Sequence, residues 1–370
     1  MEAERPDLRS LPRHALDALV ARLGERPFRA GQIWRWLHRK GAASIEEMTD
    51  LPASFRAALA AAARLPTLER ASEMRSADGT VKWTWRTWDG KLVESVYMPE
   101  PGRKTLCVST QAGCAMGCTF CMTATMGLGR HLAPGEILDQ VARANRRLVE
   151  LGEGKGPRPV TNLVFMGMGE PLHNADAVLA ALEVLLAEEG PDYSSRHVTV
   201  STSGLVPEMR RFLEATEVKL AVSLNATTDE VRDRLMPVNR RWPIRELLAA
   251  CRELPLRRGR RITFEYVLLA GVNDADADAE RLARLVAGIP AKVNLIPYNE
   301  NPGLGFRAPT PERVQAFQEI LYRREVNAVV RRNRGQDIAA ACGQLAAEAR
   351  TGGERRRAQP ESLTVVGRLG

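Results

Sequence analysis

Thr105-Leu-Cys107-Val-Ser-Thr110-Gln-Ala-Gly-Cys114-Ala-Met-Gly-Cys118-Thr-Phe-Cys121 is the stretch from which the rest of the chain can be read. Its first half, Thr105–Thr110, is a β-rich apolar run. Its second half is a loop of small residues carrying three thiols within eight positions, Cys114, Cys118 and Cys121. Cysteine thiolates hold iron–sulfur clusters. A four-iron cluster held by only three of them leaves one iron open, and the amino and carboxylate groups of S-adenosylmethionine can fill that vacancy. The competing reading is zinc, which needs a fourth ligand to close its tetrahedron; Cys107 or His131 could supply it.

Outward from this loop, apolar strand-like runs alternate with helical periods. The strand candidates are Thr105–Thr110, Asn162–Met166, His197–Ser201, Lys219–Leu224, Ile262–Leu268 and Lys292–Pro297. Helical patterns follow at Glu136–Leu151, Ala175–Leu186, Asp276–Ala287 and Pro311–Arg323. A short run, Val326–Arg331, precedes a last expected helix, Asp337–Ala349. Such alternation predicts an α/β fold with a parallel sheet covered by helices. Six repeats are too few for an eight-stranded barrel, so the expectation is an incomplete (β/α)6 barrel, with an open doubly wound sheet as the alternative.

Before the barrel, Leu16, Leu19, Val20 and Leu23 recur at helical spacing, as do Ile33, Trp34 and Leu37. Ser44 with Glu47 fits a capping box, and Thr49-Asp50-Leu51-Pro52 reads as another helix entry. From Thr80 to Tyr97 the period drops to two around Asp89-Gly90, a hairpin signal. The expected organisation is a helical module at 1–70 and a hairpin extension at 71–103. The barrel follows at 104–350, and a loose basic tail at 351–370.

The chain of 370 residues carries a net charge of +8, which favours a polyanionic partner. Arg240, Arg241, Arg245, Arg252, Arg257, Arg258, Arg260 and Arg261 crowd one stretch. Arg323, Arg324, Arg331, Arg332 and Arg334 crowd another. Arg35, Arg39 and Lys40 give the N-terminal module a basic surface suited to RNA docking. No apolar run is long enough to span a membrane, and Met1–Arg13 lacks the apolar core of a secretory signal. These features point to the cytoplasm, with no membrane partner.

The CxxxCxFC spacing resembles the signature of the radical S-adenosylmethionine superfamily. Together with GCAMGCTFCMTATMG, FMGMGEP, STSG, SLNA, IPYN and RGQDIAAACGQL, it resembles the RlmN family, the dual-specificity adenine-C2 methyltransferases of ribosomal and transfer RNA. The resemblance runs from about residue 20 to 350. It implies a [4Fe-4S] cluster on Cys114, Cys118 and Cys121. It also implies an S-adenosylmethionine pocket lined by Gly169, Glu170, Ser201, Ser223, Leu224, Asn225 and Asn299. Asn225 departs from the His that many relatives carry; both side chains donate and accept hydrogen bonds.

Read alone, Cys342 is a small hydrophobe in a helix and Cys107 a core residue of the first strand. The resemblance makes Cys342 the thiol that carries the methyl group as S-methylcysteine, Cys107 its partner in a transient disulfide, and Glu94 a proton acceptor. It further implies two S-adenosylmethionine molecules per methyl transferred. The targets are adenosine in 23S rRNA at the peptidyl-transferase centre and in tRNA 3′ of the anticodon, and a flavodoxin-like protein is the electron donor. Cys251, His131, His173 and His197 read as structural. The rival functions are a C8-methylating relative and a zinc-stabilised RNA-binding protein without catalysis.

Overall fold

The structure, a computed structural model, describes residues 5–346 except 66, 155, 257, 258 and 302. The chain begins with helices α1 (Arg13–Arg22), α2 (Phe28–Trp34) and α3 (Ala53–Ala62). Pro52 opens α3 as the sequence predicts, but Ser44 opens no helix: residues 43–51 form turns, and the Glu47 carboxylate accepts from the Ala43 amide instead.

Three antiparallel strands follow, β1 (Leu68–Arg75), β2 (Val81–Thr87) and β3 (Leu92–Glu100). The expected hairpin is β2–β3, turned at Gly90. β1 has no alternating apolar signal because it is the sheet edge, its Glu69, Arg70 and Arg75 exposed to solvent; charged edges of this kind discourage pairing with other chains.

β3 pairs with β4 (Arg103–Cys107), where the sheet turns parallel. A small two-stranded ribbon, β5 (Gln111–Gly113) and β6 (Leu128–His131), stands apart. The parallel part continues through β7 (Asn162–Phe165), β8 (Val198–Thr202), β9 (Lys219–Ser223), β10 (Ile262–Leu268), β11 (Ala291–Pro297) and β12 (Ala328–Val330) in spatial order. The six expected parallel strands all form, and the short run after them becomes the seventh.

Short α4 (Met122–Thr125) lies in the cysteine loop. The crossovers are α5 (Pro134–Glu150), α6 (Ala175–Leu186), α7 (Val206–Ala215), α8 (Asp229–Leu235) with α9 (Ile244–Glu253), α10 (Asp276–Val286) and α11 (Pro311–Arg323). The result is six β/α units, a closing strand and an antiparallel wing in one ten-stranded sheet. No helix among the described residues is long and apolar enough to cross a membrane.

The helix expected at Asp337–Ala349 does not form within 337–346. A 3₁₀ turn at Gln336–Ile338 is bracketed by Gly335, Ala339 and Gly343, all with positive φ. Left-handed residues break a right-handed helix whatever the local propensity. Residues 347–349, and the whole expected tail at 351–370, lie outside the described residues.

The N-terminal helices share one continuous apolar core with the barrel through Leu16, Leu19, Ile33 and Leu37. A buried ion pair joins them as well: Arg9 Nε lies 3.1 Å from Asp139 Oδ1 on α5, each side chain 1% exposed. Arg9 also donates to the Leu37 and Ala42 carbonyls, and Asp139 accepts from the Leu68 amide. Removing one partner strands a desolvated charge. Asp139→Ala should therefore lower stability by about 3–5 kcal/mol, measured by urea unfolding; a loss below about 1 kcal/mol would show that Arg9 is compensated by its carbonyl partners alone.

Candidate active site

The cysteine loop is built on the β5–β6 ribbon. Gly113 has φ +83°, and a Cβ there would lie 1.9 Å from the Gly127 carbonyl. Only glycine lets the two ends of the loop meet, closed by the Cys114 amide donating to Gly127 O at 2.8 Å. Within the loop, Phe120 is buried in a small cluster with Leu235, Met236, Leu269 and Tyr298. The aromatic residue between the last two thiols is thus the loop's anchor. Cys114, Cys118 and Cys121 all line one open cleft.

The other walls come from the carboxyl ends of the parallel strands, where α/β folds place their sites. After β7, Gly169 has φ +100° and presses against Gln111, where a Cβ would lie 2.5 Å from the Gln111 Cβ. Gln111 accepts from the Glu170 amide and bonds the rings of His131 and His173. Both histidines are therefore occupied with Gln111. Glu170 is buried, its carboxylate accepting from the amides of Leu172 (3.0 Å) and Ser203 (2.7 Å); burial still pushes its pKa up.

Ser201, Ser223, Asn225 and Asn299 line the same cleft. Leu224 does not: its side chain is fully buried, and its amide donates to Glu265 O. Asn225 sits in the left-handed region at φ 54°, which Asn tolerates better than most residues. Its amide is already engaged, Oδ1 accepting from Val267 N and Nδ2 donating to Met236 Sδ. It bridges the ends of β9 and β10.

The segment after β12 folds back over these walls. Gly343 O accepts from the Met122 amide at 2.8 Å and from Asn301 Nδ2 at 3.3 Å, while Thr123 Oγ1 donates to Leu345 O at 2.7 Å. Gln336 Nε2 donates to Asn299 Oδ1 at 2.7 Å. This places Cys342 against the cleft, beside Cys121.

A second, smaller cavity adjoins it, lined by Cys342, Cys107, Cys121, Met166 and Arg331. All six cysteines are free thiols. Burial pushes the Cys107 thiol up to about 12, Cys342 adding to the effect and Arg331 opposing it. Cys251 lies apart, buried on α9.

Glu94 is a buried residue on β3, where its position in a strand suggests solvent. Lys82 Nζ lies 3.2 Å from Glu94 Oε1, and Oε2 accepts from the Ala346 amide at 3.0 Å. Lys82 also donates to the Ala339 carbonyl. The carboxylate lines neither cavity and lies beneath the segment that carries Cys342.

Two further side chains carried no motif. Arg232 is 1% exposed and donates to the carbonyls of Leu224, Ser203 and Ser223, tying together the ends of β8 and β9. Burial lowers its pKa to about 10. Glu265, in the middle of β10, opens onto the cleft. It is a carboxylate inside an otherwise apolar strand, a signal the sequence does contain.

The donor set fits an iron–sulfur cluster. Three soft thiols face one space, burial pushing the pKa of Cys114 up to about 12 and those of Cys118 and Cys121 upward. Thiols bind such a centre as thiolates, so a cluster bound here would offset that cost. His131, offered as a fourth zinc ligand, is held by Gln111 and packed edge-on against His173. Glu265 Oε2, buried with no hydrogen-bond partner, shows that the cleft also has polar capacity to spare.

Residues 108–283 match the model of the radical SAM superfamily, and residues 6–65 that of the ribosomal RNA large subunit methyltransferase N-terminal domain. The chain is 71% identical over 355 residues to the dual-specificity RNA methyltransferase RlmN of Anaeromyxobacter dehalogenans, covering 96% of this chain and 95% of that one. It is 58% identical to RlmN 2 of Myxococcus xanthus, over 93% and 91% of the two chains. A radical SAM methyltransferase of Sphaerobacter thermophilus superposes with a TM-score of 0.89 at 48% identity, covering 93% of this chain and all of the other. Proteins of this superfamily work with a [4Fe-4S] cluster and S-adenosylmethionine, and the thiols and cleft described above suit both. The chain belongs to the RlmN family of dual-specificity RNA methyltransferases, within the radical SAM superfamily.

Proposed function

We propose that this enzyme methylates C2 of adenosine in 23S rRNA, at the peptidyl-transferase centre, and in tRNA, 3′ of the anticodon. The observation that carries the reading is a single cleft bordered by Cys114, Cys118, Cys121 and Cys342, with Cys107 in the adjoining cavity. Sequence identity to proteins named RlmN supports C2 over C8 as the carbon attacked. An electron donor of flavodoxin type and a cytoplasmic setting belong to the same proposal.

In this reading Cys114, Cys118 and Cys121 hold the cluster. Gly169, Glu170, Ser201, Ser223, Asn225 and Asn299 surround S-adenosylmethionine, and Leu224 braces that wall from the core, its amide bonded to Glu265 O and its carbonyl to Arg232. When bound, the pair supplies the methyl group and the oxidising carbon radical that activates it. Both the methyl group and adenine C2 are electrophilic, so direct polar transfer between them is unfavourable.

Cys342 answers that mismatch by carrying the methyl on its sulfur to the base. Its turn is held by Met122 and Asn301, so the sulfur stays at the junction of the two cavities. Cys107 attacks the Cys342 sulfur and the bond from that sulfur to the transferred carbon breaks; the carbon takes up a proton to complete the methyl group on the base, and the two cysteines are left as a disulfide. Glu94 takes the C2 proton, which requires it to let go of the Ala346 amide, with Lys82 as the neighbouring counter-charge. The barrel walls keep water from the reacting sulfur, and the target base enters unstacked. The basic surface of the N-terminal module, with Arg39 and Lys40, docks the RNA.

Anaerobic incubation with reductant, S-adenosylmethionine and RNA, followed by mass spectrometry of the digested nucleosides, tests the reading. The unmodified enzyme should yield 2-methyladenosine; 8-methyladenosine, or no methylated base, would refute it. Cys342→Ala should abolish methylation while iron and sulfide content stay unchanged, and retained turnover would remove Cys342 from the pathway. Cys107→Ala should accumulate a covalent protein–RNA adduct visible by denaturing electrophoresis. Normal turnover of that variant would exclude Cys107.

A further inference from the structure

Glu265 occupies a place in the barrel that none of the expected site residues fills. In the register of the parallel strands it pairs with Ser223 on β9 and Asn294 on β11. Neighbours in register on parallel strands share a face, and Ser223 and Glu265 both line the cleft that holds the three loop cysteines. Glu265 is 4% exposed.

Its Oε1 accepts from Asn294 Nδ2 at 3.0 Å. Its Oε2 has no hydrogen-bond partner among the described residues; Arg331 Nη1 stands 3.8 Å away, beyond hydrogen-bond distance, and Lys292 adds a second, more remote positive charge. A buried carboxylate oxygen left without a donor is costly, and native structures rarely keep one. Arg331 itself borders both cavities next to Cys342. The pair therefore sits where the adenosyl cleft meets the cavity containing Cys107.

We infer that Glu265 is a further ligand-binding residue of this cleft, its free oxygen accepting a hydrogen bond from an adenosine, through a ribose hydroxyl or the exocyclic amine. Asn294 and Arg331 act as positioning residues that hold the carboxylate in place. Burial raises the pKa of Glu265 while Arg331, Asn294 and Lys292 oppose the rise, so a donor from the ligand adds to three partial compensations already present. The adenosine of S-adenosylmethionine and the target adenosine share this chemistry. The register with Ser223 favours the former, and the inference rests on the cleft binding an adenosyl ligand.

The test is equilibrium binding of S-adenosylhomocysteine, which carries no transferable methyl, to the anaerobically reconstituted holoenzyme. Binding to the unmodified enzyme checks the adenosyl reading on its own. Glu265→Gln, equal in size, should weaken binding about tenfold, as expected for a hydrogen bond to a charged group, with iron and sulfide content and RNA affinity unchanged.

The 2′-deoxy, 3′-deoxy and deaminated analogues should include one that loses a similar factor with the unmodified enzyme and little more with Glu265→Gln. A tenfold loss confined to RNA affinity would also support the inference and assign the donor to the target adenosine. Unchanged affinity for both ligands would overturn it. If Glu265→Gln failed to assemble its cluster, the analogues on the unmodified enzyme would decide: equal affinity for all of them, with unchanged affinity for RNA deaminated at the target, would likewise overturn it.

Discussion

The Met122 amide donates a hydrogen bond to the Gly343 carbonyl at 2.8 Å, and the site depends on that link. Met122 follows the last cysteine of the loop; Gly343 follows Cys342. More than two hundred residues and the whole barrel separate them in sequence, yet one hydrogen bond makes the three-cysteine loop and the Cys342 turn neighbours. Asn301 and Thr123 reinforce the contact. A lone backbone bond contributes about 1 kcal/mol, so the placement rests on several such bonds, two ending on the Gly343 carbonyl and one on that of Leu345.

The same segment completes the barrel. Seven parallel strands do not close on themselves, and β12 and β1 are the two edges of the sheet. Residues 334–346 run from β12 toward the antiparallel wing and bond to it repeatedly. Gly335 N donates to Asp78, Ser76 donates to Asp337, Lys82 donates to Ala339 O, and Ala346 N donates to Glu94. These contacts explain why an alanine-rich stretch of good helix formers is not helical. Its backbone groups find partners on other elements, and three left-handed residues set its path. Local propensity of a few tenths of a kcal/mol per residue gives way to tertiary bonding.

Much of the rest was readable beforehand for physical reasons. Buried parallel strands are apolar nearly throughout, so they stood out, and so did the helices that cover them. The thiol spacing and the strand-end motifs marked the rim. What could not be read depends on contacts distant in sequence. β1 is a charged edge without periodicity. Arg232 sits among other charges on α8, and only the fold shows that it bridges two strand ends. Glu94 has the local pattern of a solvated strand residue, and Lys82 and the returning segment are what bury it. The family resemblance implies Leu224 as a lining residue together with Ser223 and Asn225, but its side chain turns into the core. Glu265 was legible in principle, as a carboxylate in an apolar strand.

The central claim is that Cys342 carries the transferred carbon. Peptide mass spectrometry of the enzyme after anaerobic exposure to S-adenosylmethionine bearing an isotopically labelled methyl tests it most directly. The account predicts one labelled methyl group, on the peptide containing Cys342, whose label then passes into adenosine when RNA is added. Labelled RNA formed while the Cys342 peptide never carries the label would contradict it.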